Sequence, residues 1–165
     1  MAIKDAILPE FDHEMASTRR LLERVPEDRP DWKPHAKSMV LGRLAAHVAE
    51  IPGYGLMTLE TDGLDFASGK YVPARFESRA QLLKLFDDRV ARTRAIIAAT
   101  DDETFRRPWT LRNGDHVIFT APKIGTLRTF VMNHLIHHRG QLTVYLRLLD
   151  VPLPSIYGPS ADEAA

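Results

Sequence analysis

The segment from Ile124 to Asp150 sets the strongest limit on what this chain can fold into. Leu127, Phe130, Val131, His134, Leu135, His138, Leu142 and Tyr145 recur at spacings of three, four and seven, the signature of one helix face. Pro152 and Pro154 stop the pattern. A long helix with one continuous apolar stripe is stable only when other elements cover that stripe. Two histidines interrupt it. On a helix, His134 and His138 lie one turn apart on the same face, so their imidazoles can grip one metal ion.

Three other stretches read as helices. Phe11, Met15, Leu22 and Val25 make a stripe in a helix that starts at Ile3 or Pro9 and ends near Val25, with Pro9 opening or kinking it. A second helix starts between Ser38 and Leu41 and runs to about Leu59, burying Leu44, His47, Val48 and Ile51. Pro52, Gly53 and Gly55 predict a kink in its middle. The third begins with the capping box Ser78-Arg79-Ala80-Gln81, carries Leu82, Leu85, Phe86, Val90 and Ile97, and ends near Thr100. Pro26 to Lys37 reads as a loop and Thr61 to Glu77 as a long irregular connection. Trp109 to Phe119 reads as a hairpin with a type I′ turn at Asn113-Gly114. The tail from Ser155 reads as a loop that frays. The expected fold is all-α: a four-helix bundle with a small β-hairpin between helices three and four, one domain spanning residues 1–165. Long connections after helices two and three free it from simple up-down-up-down order.

His47 stands alone on the apolar stretch Leu44-Ala45-Ala46-His47-Val48-Ala49. If its helix packs on the one bearing His134 and His138, three neutral nitrogens converge and a coordination position stays open, which suits a catalytic metal better than a structural one. A buried histidine taken singly is more often a hydrogen-bonded core residue than a ligand. His137 is also within one turn of His134, so His134/His137 is a second possible pair. His13, His35 and His116 default to surface or turn roles. Di-iron bundles need Glu-x-x-His motifs, whereas here the nearest match runs backwards as His47-Val48-Ala49-Glu50. The zincin pattern fails because Leu135 holds the Glu position. The sequence has no P-loop, dinucleotide fingerprint or nucleophile elbow.

The bulk numbers narrow the partners. Lysine plus arginine equals aspartate plus glutamate at 22 each in 165 residues, so the chain lacks the basic footprint of a nucleic-acid binder. It has no cysteine, which removes disulfides, thiolate ligands and a cysteine nucleophile. No stretch approaches the roughly 20 apolar residues of a membrane span. The first residues lack a signal-peptide core. The expectation is a soluble, cytoplasmic protein without membrane or nucleic-acid partners.

The residues around the histidines resemble a known family. Trp32-Lys33-Pro34-His35-Ala36-Lys37-Ser38-Met39, Leu41-Gly42-Arg43-Leu44-Ala45-Ala46-His47 and Asn133-His134-Leu135-Ile136-His137-His138-Arg139-Gly140-Gln141-Leu142 look like its loop, its first ligand helix and its last-helix signature. This is the DinB/YfiT-like superfamily, and the likeness covers nearly the whole chain. It implies a four-helix bundle, commonly a homodimer, with a divalent metal on His47, His134 and His138, and His137 as the non-ligand. It also implies a metal-dependent enzyme acting on a small molecule with an external low-molecular-weight thiol, in the manner of thiol S-transferases. Zn, Ni and Fe all suit imidazole ligands. The competing readings are a hydrolase using metal-activated water and a non-catalytic dimer in which the metal ties helices together. Val40 departs from the usual Ser or Thr cap, and Tyr54 from a frequent Trp. Arg139 could bind a carboxylate or form a helix salt bridge. Asn133 and Gln141 could orient a ligand ring, and Trp32 and Tyr54 could wall a pocket or simply pack.

Overall fold

The computed structural model describes residues 1–69 and 71–164. The chain runs α1 (Ile3–Leu22), α2 (Leu41–Glu50), α3 (Pro52–Glu60), β1 (Gly63–Asp65) and a 3-10 turn (Phe66–Ser68). It continues through α4 (Arg79–Ala99), α5 (Asp102–Arg106), β2 (Pro108–Asn113), β3 (His116–Pro122) and α6 (Lys123–Thr126). A π-helical segment (Leu127–Asn133) then leads into α7 (His134–Leu148). The expected helices are therefore present, but not as four continuous rods. The second breaks at Ile51, where Pro52 opens α3. The last changes its hydrogen-bond period before His134.

α1 and α2 each pack on both α4 and α7, and α3 packs on α4. The expected stripe is buried at Phe11, Met15, Leu22 and Val25, although α1 ends at Leu22 and Val25 lies in the turn beyond it. Pro9 lies inside α1 rather than at its start. Helix starts need acceptors for free N–H groups, and several are supplied from afar. Asp102 of α5 accepts from Ile3 N at 2.8 Å. Val40 gives α2 no side-chain cap, and the loop replaces it: Trp32 O accepts from Leu41 N, and Pro30 O from Gly42 N, each at 2.8 Å. Ser78 caps α4 through Gln81 N at 3.1 Å.

The glycines that weaken α3 by propensity are there for contact. A Cβ at Gly55 would stand 2.5 Å from Thr93 Cγ2, so α4 approaches α3 as only glycine permits. Thr93 Oγ1 donates to Pro52 O at 2.8 Å at the same crossing.

The expected hairpin is part of a three-stranded sheet in the order β1-β2-β3. β1 pairs parallel to β2, Leu64 opposite Leu111, within the connection expected to be irregular. Three residues carry too little alternation to reveal a strand. The turn also differs: Asn113 pairs with His116, and positive φ falls on Gly114 alone. The loop is thus Gly114-Asp115, with the φ pattern of type II′ instead of I′. Asp65 Oδ1 accepts from Gly114 N at 2.9 Å and fastens β1 to the turn. Trp109 is fully buried and donates to Thr61 Oγ1 at 3.2 Å, joining sheet to helices. Buried Lys123 donates to Leu59 O and Thr61 O, where a cation offsets the free carbonyls ending α3.

The tail is irregular, as expected, but it is not left loose. Tyr157 donates to Glu14 at 2.8 Å, Asp162 pairs with Arg147, and Glu163 pairs with Arg24. Among the described residues no helix is long and apolar enough to cross a membrane.

Candidate metal centre

His47 lies on α2 one turn before the break at Ile51. His134 opens α7 directly after the π-helical segment, and His138 follows one turn later. Packing of α2 on α7 brings the three rings together, with centroids 4.6 to 5.0 Å apart. One nitrogen from each ring lies within 4.8 Å of the others, so the cluster can hold a metal ion. All three side chains are half-buried.

The outer nitrogens of the rings are already engaged. His47 Nδ1 donates to Glu50 Oε1 at 2.7 Å, His138 Nδ1 to Gln141 Oε1 at 2.7 Å, and His134 Nδ1 to Phe130 O at 3.3 Å. In neutral rings those acceptors leave Nε2 as the lone-pair nitrogen. His47 Nε2 and His134 Nε2 stand 3.2 Å apart, a distance at which one ring can donate to the other or both can ligate one cation. The spacing fits, because two nitrogens about 2.0–2.1 Å from a tetrahedral zinc lie roughly 3.3–3.4 Å apart.

Electrostatics keep the rings able to ligate. Burial, then the neighbouring His138 and His47, pushes His134 down to about 4. His138 is also lowered, chiefly by burial. Both are therefore neutral near neutral pH, as a ligand must be. Behind His47 sits Glu50, 7% exposed at its side chain. Burial alone would raise its carboxyl, yet the His47 hydrogen bond, Ala74 N–H at 2.7 Å, Tyr71 Oη at 2.9 Å and Arg43 hold it at about 2. Tyr54 in turn donates to Tyr71 at 2.8 Å. Burial raises both phenols, so they stay protonated.

A pocket of about 120 Å³ opens on the cluster, walled by His47, His134, Tyr54, Tyr71, Phe130 and Leu64 among others. It shares Tyr54, Leu64 and Tyr71 with a neighbouring cavity of about 630 Å³ that reaches Glu50 and α4. That volume is in the range of small-molecule sites.

Other expectations separate clearly. His137 is exposed and is not among the three residues whose ring nitrogens converge, which are His47, His134 and His138. Gln141 holds a ring, while Asn133 is exposed. Arg139 is no substrate group. It is 2% exposed and pairs with Glu14 of α1 at 2.7 Å, with Tyr157 Oη at 2.9 Å. Tyr54 walls the pocket, whereas Trp32 packs edge-on against Tyr145. His13, His35 and His116 are exposed. Sequence reasoning missed Glu50 and Tyr71. Glu50 had a signal, since it lies three residues after His47 on the same face. Tyr71, in a stretch without periodicity, had none.

The family model described as the DinB superfamily matches residues 10–142. Uncharacterized protein YrdA of Bacillus subtilis (strain 168) is 28% identical over 161 residues, 98% of this chain and 92% of that protein. The crystal structure of the DinB-like protein YjoA from Bacillus subtilis superposes with a TM-score of 0.70 at 22% identity, over 92% of this chain and 96% of that one. A DinB-like protein from Bacillus cereus ATCC 10987 gives 0.70 at 19% identity, over 94% and 98%. At these identities the two structures speak for the fold.

Proposed function

The chain belongs to the DinB superfamily, and we propose that His47, His134 and His138 hold one divalent metal ion, Zn, Ni or Fe, at the centre of a metal-dependent enzyme. The observation that carries this is the set of three ring nitrogens within 4.8 Å of one another, with the Nδ1 atoms of the same rings tied to oxygen acceptors. The reaction we assign is transfer of a small electrophile to an external low-molecular-weight thiol. When bound, such an ion supplies positive charge that lowers the pKa of a thiol or water reaching the open position. The chain's own residues do the rest. Three histidines leave that position free, and the absence of cysteine means the sulfur must come from outside. Glu50 fixes the His47 ring and makes it more basic, and Gln141 does the former for His138. Tyr54 and Phe130 stack on the His134 side and exclude water there.

A hydrolase using water at the same position is the second reading, favoured by the small volume directly over the cluster. The reading takes residues 1–165 as one unit, since the ligands come from α2 and α7. It also takes the chain as a homodimer, in keeping with the exposed Val144 and Leu148 on α7, which sedimentation tests.

The deciding experiment is elemental analysis of untagged protein beside His47→Ala and His138→Ala. The expected result is about one metal per chain, lost in both variants. Failure to take up metal after reconstitution with Zn(II) and Ni(II) overturns the proposal and leaves a metal-free helical module.

A further inference from the structure

The larger cavity carries one positive charge that the fold leaves uncompensated. Arg89 projects from α4 and is half-buried at the cavity wall. Its stem lies across Gly53 of α3, where a Cβ would stand 2.7 Å from Arg89 Cδ. Glycine at position 53 thus leaves the room that the arginine occupies. Its acidic chain neighbours turn elsewhere, Asp87 to Arg19 and Asp88 to Lys84. The other charged walls are engaged: Glu50 by Arg43, and Arg112 by Asp65 at 3.2 Å. Among the described residues no carboxylate lies within ion-pair distance of Arg89. By contrast Arg94, also on α4 but outside the cavity, is paired with Asp12 at 2.8 Å.

We infer that Arg89 receives a carboxylate of the molecule that fills this cavity, so the site selects carboxylate-bearing small molecules with an apolar body. A planar guanidinium matches a carboxylate through two parallel hydrogen bonds, and one uncompensated charge suits a monoanion. Tyr54, Leu64 and Tyr71 line both this cavity and the pocket at the histidines, and Met57 adds apolar wall to the larger one. The inference rests on the proposed reading in one respect, that the reacting end of the ligand lies at the histidine cluster. The carboxylate can belong to the electrophile or to the thiol, and the two arms of the test distinguish them.

Binding of 3-phenylpropionate and its neutral amide is measured by calorimetry at pH 8, on protein loaded with Zn(II) and on protein stripped with EDTA. The acid should bind at least about tenfold more tightly than the amide in both forms. Arg89→Met should erase that preference without lowering the melting temperature, Arg89→Lys should keep part of it, and Arg94→Met should keep all of it. Equal binding of acid and amide to the wild type, or a preference that survives Arg89→Met, overturns the inference. A parallel arm compares 3-mercaptopropionate with 2-mercaptoethanol on the Zn(II) form. An Arg89-dependent preference there assigns the carboxylate to the thiol, and one confined to phenylpropionate assigns it to the electrophile. Acid preference in a protein that takes up no metal upholds Arg89 while the metal reading falls. Metal uptake without acid preference does the reverse.

Discussion

Replacing Glu50 by Gln keeps the side chain's shape and removes the negative charge behind His47. The carboxylate accepts from His47 Nδ1, Tyr71 Oη, Ala74 N–H and Arg43, and these partners hold it at about 2 against an ordinary 4.5. The difference, 4.5 − 2 = 2.5 pH units, corresponds to about 3 kcal/mol of favourable interaction in the folded state. Arg43 is 32% exposed and partly screened, so a realistic loss of metal-free stability in Glu50→Gln is about 2 kcal/mol. An amide can accept from His47 or from Ala74, and it turns its own N–H groups toward the remaining donors. The His47 ring thereby loses its fixed tautomer and some basicity, and removing such a partner costs about 10- to 100-fold in metal affinity. Chelator competition measures the affinity, and urea melts measure the stability. The pH profile gives an independent check. A carboxyl whose folded pKa is depressed contributes stability that is present above about 4.5 and lost as pH falls toward about 2. Glu50→Gln should lack that acid slope. A folded Glu50→Gln protein that binds metal within about twofold of wild type would refute the claim that this carboxylate acts through His47.

Three further perturbations test the fold and the cluster. His134 is lowered to about 4 from 6.5, so the unfolded chain binds its proton more readily; metal-free stability should fall as pH drops from 6.5 to 4 and be flat above. His134→Asn should shrink that slope in urea melts, and an unchanged slope would assign it to other groups. Gly55→Ala forces a Cβ to 2.5 Å from Thr93 Cγ2 and should cost about 1–3 kcal/mol by calorimetry, whereas an unshifted melting temperature would mean the crossing of α3 and α4 relaxes freely. Arg139→Met strands the buried Glu14 and should cost about 3–5 kcal/mol, with Glu14→Leu added to it recovering much of the loss; a double variant no more stable than Arg139→Met alone would deny the pair its place in the core.

How much of this was legible depends on what kind of force wrote it. Periodic burial is local and repeats, so the stripe of α1, the cap at Ser78 and the His134/His138 spacing could be read directly. Contacts made by one residue at long separation leave no such repeat. The parallel pairing of β1 with β2 joins Gly63 to Thr110, and Gly63 is required because a Cβ there would meet Thr110 O at 2.5 Å. In the sequence that glycine looks like any loop glycine. Val40 showed the converse. Its departure from a Ser or Thr cap leaves α2 without a side-chain acceptor, yet two carbonyls from the preceding loop do the capping. Arg139 was open between a carboxylate ligand and a salt bridge, and only the Glu14 opposite it, from the first helix, makes it the salt bridge.

The π-helical turn before His134 marks the limit of pattern reading. Between Leu127 and Asn133 the helix is wound more widely, which offsets the face that follows it by part of a turn. The apolar stripe still scans as an unbroken period, because one skipped residue in a run rich in apolar side chains leaves the spacings plausible. The consequence falls on Phe130. Read as core, it is half-buried instead, stacked on Tyr54 at 5.3 Å and on His134 at 5.9 Å, and its carbonyl accepts a hydrogen bond from His134 Nδ1. The π turn therefore does two things that a plain helix would not combine. It sets one wall of the pocket, and it orients the ring whose Nε2 faces His47. Wide turns of this kind recur at functional sites because the geometry is costly and persists where the surrounding structure demands it. Here Phe130 of that segment meets Tyr54 on α3, and His134 just after it meets His47 on α2, on either side of the break that Pro52 makes.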